Sequence, residues 1–78
     1  MFKELSRKDT IIATDSQGSV YVQSIGFYEG FKTMRYEIWS SLEAYEAQDY
    51  GDERHINCQG IATTQSPEEF LKEYYREA

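Results

Sequence analysis

The chain has one cysteine, one proline and one histidine, and each scarcity closes off a class of explanation. A single thiol, Cys58, forms no intramolecular disulfide, so covalent staples are excluded and a reducing compartment is the expected setting. One cysteine and one histidine, Cys58 and His55, fall short of the three or four ligands of a zinc site unless carboxylates or a second chain contribute. No apolar run approaches the length of a membrane span, and the first residues lack the apolar stretch of a secretory signal. A cytoplasmic location is the expectation. Positive charge is also short, with eight lysines and arginines against fourteen acids and a net charge of −6. Direct binding to nucleic acid is disfavoured, because phosphates would meet repulsion.

What is present is apolar and aromatic: 40% hydrophobic residues, 15% aromatics and seven tyrosines, too much for a disordered chain. Residues 1–78 have room for a single domain and one modest core. Residues 10–14 form a β-branched run, Asp15 to Gly18 a turn, and residues 19–25 a second strand, which together predict a β-hairpin. Gly26 to Gly30 reads as a loop or wide turn. Phe31 to Trp39 is a third strand, with Met34, Tyr36 and Ile38 on one face and Phe31, Thr33, Arg35, Glu37 and Trp39 on the other. Residues 40–50 are ambiguous. Ser40 with Glu43 could open a helix, but the stripe Leu42, Tyr45, Asp49 is poorly apolar, and a strand extension or irregular segment is favoured. Residues 54–63 alternate as a fourth strand, with Ile56, Cys58 and Ala62 on one side.

The clearest local signal lies near the C-terminus. Ser66-Pro67-Glu68-Glu69 supplies an N-cap serine, proline at the first helical position and glutamate at N3. Phe70, Leu71 and Tyr74 then recur at helical spacing, predicting a helix over 67–77 that packs on a sheet. The fold class is α+β: a three- to four-stranded, mainly antiparallel sheet with one C-terminal helix across a face. Residues 1–9 read as a frayed arm or helical turn. The candidate core is Ile12, Val20, Val22, Met34, Tyr36, Ile38, Ile56, Cys58, Phe70, Leu71 and Tyr74. On the outer face, Phe31 and Trp39 on strand three and Tyr21 and Ile25 on strand two are large residues to leave wet. The N-terminal segment with Phe2 and Leu5, a second copy or another partner is expected to cover them.

No phosphate loop, paired-histidine helix or nucleophile elbow is present, so no cofactor, metal or catalytic residue is expected. On a strand, His55 and Cys58 point to opposite faces and form no nucleophile–base pair. The charge distribution is the more informative feature. Glu37, Glu43, Glu46, Asp49, Asp52 and Glu53 fall within residues 37–53, which contain no lysine or arginine; the other 61 residues hold eight acids and eight bases. The whole net charge therefore lies in one window, interleaved with Trp39, Tyr45 and Tyr50. Carboxylates attract a basic partner over distance, and aromatic side chains supply contact area at low entropic cost.

These nine residues, Glu37, Trp39, Glu43, Tyr45, Glu46, Asp49, Tyr50, Asp52 and Glu53, are the candidate partner-binding set. In size and charge alone the chain resembles small antagonist proteins, among them phage anti-CRISPR proteins, DNA mimics and toxin-neutralising immunity proteins. The expected function is inhibition by stoichiometric binding to a basic, nucleic-acid-binding target. The alternative is a structural or assembly module, homodimeric through the Phe31/Trp39 face, whose acids only confer solubility.

Overall fold

The structure, a computed structural model, describes residues 4–75, with residues 4–6 and 28 described for their backbone alone. Four strands, β1 (Glu4–Thr14), β2 (Val20–Tyr28), β3 (Phe31–Trp39) and β4 (Cys58–Ile61), form an antiparallel sheet in the order β1-β2-β3-β4. A short helix α1 (Leu42–Ala47) lies between β3 and β4, and α2 (Pro67–Tyr74) follows β4. The domain is α+β, with the expected C-terminal helix.

The first hairpin is closed by Asp15. Its Oδ1 accepts from the backbone N–H of Gln17 (3.0 Å) and Ser19 (2.9 Å), and Oδ2 accepts from the Tyr21 hydroxyl (3.0 Å). Gly18 supplies the left-handed position (φ 89°) that a side chain would resist. β1 is longer than expected. Residues 4–9 are strand, neither arm nor helical turn, because they pair with β2 from Tyr28 to Ser24. Gly26 likewise sits inside β2, and the second turn is confined to Glu29 and Gly30.

Register decides which residues share a face. Val20 pairs with Trp39 and Val22 with Glu37, whereas Tyr21 pairs with Ile38 and Gln23 with Tyr36. Both faces are covered, so the single core expected from the sequence divides in two. On one side α2 packs Phe70 against Tyr36, stacked at 4.1 Å, and edge-on to Tyr21 at 6.5 Å; Ile12, Met34, Ile38, Leu71, Tyr74 and Tyr75 complete that cluster. On the other, Val20, Val22 and Trp39 pack against Ala44 of α1, with Tyr45 and Cys58 at the margin. Tyr21 is therefore a buried residue of the α2 face and does not share the outer face with Trp39. Phe2 lies outside the described residues. What covers Trp39 is α1 and the chain after it.

α2 begins as its sequence specifies, with a full capping box. Ser66 Oγ accepts from the Glu69 N–H, and Glu69 Oε1 accepts from the Ser66 N–H at 3.2 Å. It ends at Tyr74, with Tyr75 already extended. β4 is shorter than the expected 54–63. Only Cys58–Ile61 pairs with β3, because residues 50–57 are drawn into a separate small hairpin.

Candidate functional site

Residues 40–57 fold as one lobe over the α1 face. Its ends are tied together: the Ser40 N–H donates to the Asn57 carbonyl at 2.8 Å, and Ser40 Oγ bonds Asn57 Oδ1 at 2.8 Å. Ser40 thus ties the end of β3 to Asn57, and the cap falls one residue later. Ser41 Oγ accepts from the Ala44 N–H at 3.1 Å, and Gln48 closes the helix in a left-handed conformation. The segment expected to extend the strand is therefore a helix. Its inward residues are Ala44 and Tyr45, packed on Trp39; of the stripe that argued against a helix only Tyr45 turns inward, and Leu42 and Asp49 are exposed.

The chain then reverses in a hairpin. The Asn57 N–H donates to the Tyr50 carbonyl (3.0 Å), Gly51 bridges Ile56, and the Asp52 N–H donates to the His55 carbonyl (2.9 Å). Two of the candidate acids build this turn. Asp49 Oδ1 accepts from the Gly51 N–H, and Asp52 Oδ1 accepts from the N–H groups of Arg54 and His55. Those two N–H groups hold the Asp52 carboxyl below its ordinary range. Gly51 (φ 86°) is obligatory, since a Cβ there would overlap the His55 carbonyl oxygen.

The nine candidate residues separate into an outer and an inner set. Glu43, Glu46, Asp49, Asp52 and Glu53 are all exposed, and none forms an ion pair with any described residue. Tyr50 is half exposed, its ring 5.1 Å from Trp39. Tyr45 lies edge-on to Trp39 at 5.6 Å, and burial, then Asp9 and Glu37, push its phenol up. Glu37 and Trp39 are corrections to the set. Their exposures are 1% and 0%, because the lobe folds down on them. Neither offers surface to a partner, and the Phe31/Trp39 face proposed for a homodimer is closed at Trp39, with Phe31 at the distant hairpin end.

Glu37 instead anchors an internal network. Its Oε2 accepts from Arg35 Nη2 (2.7 Å) and Arg7 Nη2 (3.0 Å), and its Oε1 accepts from Trp39 Nε1 (3.2 Å). Arg7 Nε also donates to Asp9 Oδ1 and Ser24 Oγ. A buried carboxylate is tolerable only with such compensation. Partial burial pulls the Arg7 guanidinium down, but Asp9 and Glu37 outweigh it and leave its pKa raised.

His55 sits exposed at the hairpin, whereas Cys58 is half-buried beside Trp39. Burial, aided by Glu37, pushes the Cys58 thiol up to about 11, the opposite of what a nucleophile needs. Among the described residues no three histidine, cysteine or acidic side chains are placed to hold a metal, and no helix is long and apolar enough to cross a membrane.

Sequence reasoning missed one surface feature. Ile56, placed in the core by its alternation with Cys58, is 70% exposed. It stands at the lip of an open groove of about 490 Å³ between the ends of β3 and β4, lined also by Ile38, Trp39, Cys58 and Gln59. No protein-family model, curated protein or solved structure matches the chain.

Proposed function

We propose that this protein is a small acidic binding protein that acts by stoichiometric association, through α1 and the hairpin after it, with a basic, nucleic-acid-binding target. One contrast carries this reading. The single acid the lobe buries, Glu37, is paired with two arginines, whereas none of the five acids it presents outward forms an ion pair with a described residue, and one base, Arg54, stands among them. Carboxylates left unpaired on a hydrogen-bonded scaffold repel one another, a cost a merely structural loop would relieve with interspersed lysines. Held together, they act jointly on an approaching cation, because the Debye length at physiological salt is about 8 Å. Blocking the target by occupying its phosphate-binding surface, as a phage-type antagonist or nucleic-acid mimic does, follows from that charge arrangement. The role is one of binding, not catalysis.

The test uses Glu43, Glu46 and Glu53, and spares Asp49 and Asp52, whose carboxylates build the turn. Replacing these three with lysine takes the five exposed acids of the lobe from −5 to +1. Wild type and variant are used side by side to capture partners from host extract at low and at high salt. A partner retained by wild type at low salt, and lost both in high salt and in the folded triple variant, is the expected result. A partner held equally by both proteins would make the acids solubilising only.

A further inference from the structure

Ile56 is the most exposed of the large apolar side chains among the described residues, yet it stands on a hairpin whose backbone is tied down on both sides. Its exposure is therefore not that of a slack loop. The groove beside it is open to solvent and lined by Ile56 and the half-buried Cys58, with Ile38 near the end of β3; Trp39 lies beneath, itself fully buried. Resting on the acidic-surface reading above, we propose that this groove seats an aliphatic side chain carried on a basic segment of the same partner.

Charge decides the occupant. The hairpin that carries Ile56 also carries Asp49, Asp52 and Glu53 against one base, Arg54, and α1 adds Glu43 and Glu46. The far lip, with Ser19, Ser40 and Gln59, is uncharged. A cationic segment drawn to the lobe is delivered to Ile56, whereas an anionic one is repelled. A second copy of this chain, itself at −6, would bring like charge to the same place. Carboxylates then set the encounter rate, and the seated side chain sets the residence time.

Two synthetic 12-residue peptides separate these roles. Both are lysine-rich and otherwise serine and glycine; one has a central leucine and the other serine at that position. The leucine peptide is expected to bind wild type about tenfold tighter or more, the fold-change that burying one such side chain gives. It alone should slow maleimide modification of Cys58, which lines the groove. Both effects should vanish in Ile56→Ser, a change at an exposed position, and in Gln59→Trp, which fills the groove from β4. The lysine substitutions at Glu43, Glu46 and Glu53 should weaken both peptides alike. Equal affinity of the two peptides for wild type overturns the groove assignment and leaves the acidic surface standing. If neither peptide binds at low salt, both readings fall.

Discussion

The two faces of the sheet are held by different physics. Beneath α2 the contacts are dry and aromatic, with Phe70 against Tyr36, Tyr21 and Tyr74. Beneath α1 the contacts are half ionic, built on Glu37, two arginines and the Trp39 indole, and the helix that covers them has only six residues. The α2 face is a core that its own helix brings with it. The α1 face is covered by a lobe that rests on a charge network. The surface assigned to binding is built on the second, less self-sufficient face, where regions that engage partners are commonly found.

The largest expected effects come from removing the centre of each face. Phe70→Ala leaves a cavity among aromatic rings and should cost about 3–5 kcal/mol, most of what so small a domain holds. Glu37→Ala strands the Trp39 N–H and two arginines, but both guanidinium groups are partly exposed and can rehydrate. About 3 kcal/mol, at the lower end for a broken buried pair, is expected. Chemical denaturation measures both, and Trp39, the sole tryptophan, tells them apart. Glu37→Ala should shift native Trp emission to the red, whereas Phe70→Ala should lower stability and leave the native spectrum unmoved. An unshifted spectrum in Glu37→Ala would mean the lobe stays shut without its network.

A smaller effect compares the two caps. Ser66→Ala removes one partner of a complete capping box and should cost about 0.5–2 kcal/mol of global stability. Ser41→Ala removes a lone cap from a helix too short to stand alone. Hydrogen exchange is the appropriate measurement. In Ser41→Ala the amides of Ala44 to Gln48 should exchange faster while those of β1 and β2 are unchanged; in Ser66→Ala all protected amides should move together. Uniform change in both variants would merge the two faces into one cooperative unit.

The same contrast explains what could be read from the sequence. α2 was legible because its cap, its proline and its apolar spacing all lie within nine residues, Ser66 to Tyr74. The Asp15 turn and the strand alternation were legible for the same reason. The α1 face was not, because its determinants are far apart: Arg7 must meet Glu37 across β2, and Ser40 must meet Asn57. Taken locally, Ser40 with Glu43 at N3 is the better cap than Ser41, and a stripe containing Asp49 argues against a helix. Only the closed lobe shows that Ala44 and Tyr45 face inward. The acidic window was legible as charge, but not its partition, since Glu37 is set apart from the other five solely by the arginines beside it. Ile56 and Cys58 share one alternation, and nothing local distinguishes the exposed residue from the half-buried one.

The finest probe of the comparison is the Cys58 thiol, which belongs to the α1 face. An ordinary cysteine here would titrate near 9.0, and burial, reinforced by Glu37, raises it to about 11. Two pH units mean about 100-fold less thiolate at pH 8, and thiolate is the reacting species. Native alkylation by iodoacetamide should therefore be about 100-fold slower than that of a model thiol, and should rise about tenfold per pH unit without a plateau before pH 10. The sign for stability follows from the same shift. Because the folded pKa is the higher, the unfolded chain loses its thiol proton first, so this contribution is intact below pH 9 and fades as pH climbs toward 11. If Glu37 contributes as its position implies, Glu37→Gln should lower the alkylation plateau pH in any variant that keeps the lobe closed. Ser41→Ala should raise the rate and also move the plateau toward pH 9, since opening the lobe removes the burial that raises the thiol. A wild-type plateau near pH 9 would place Cys58 in water, with the α1 face open.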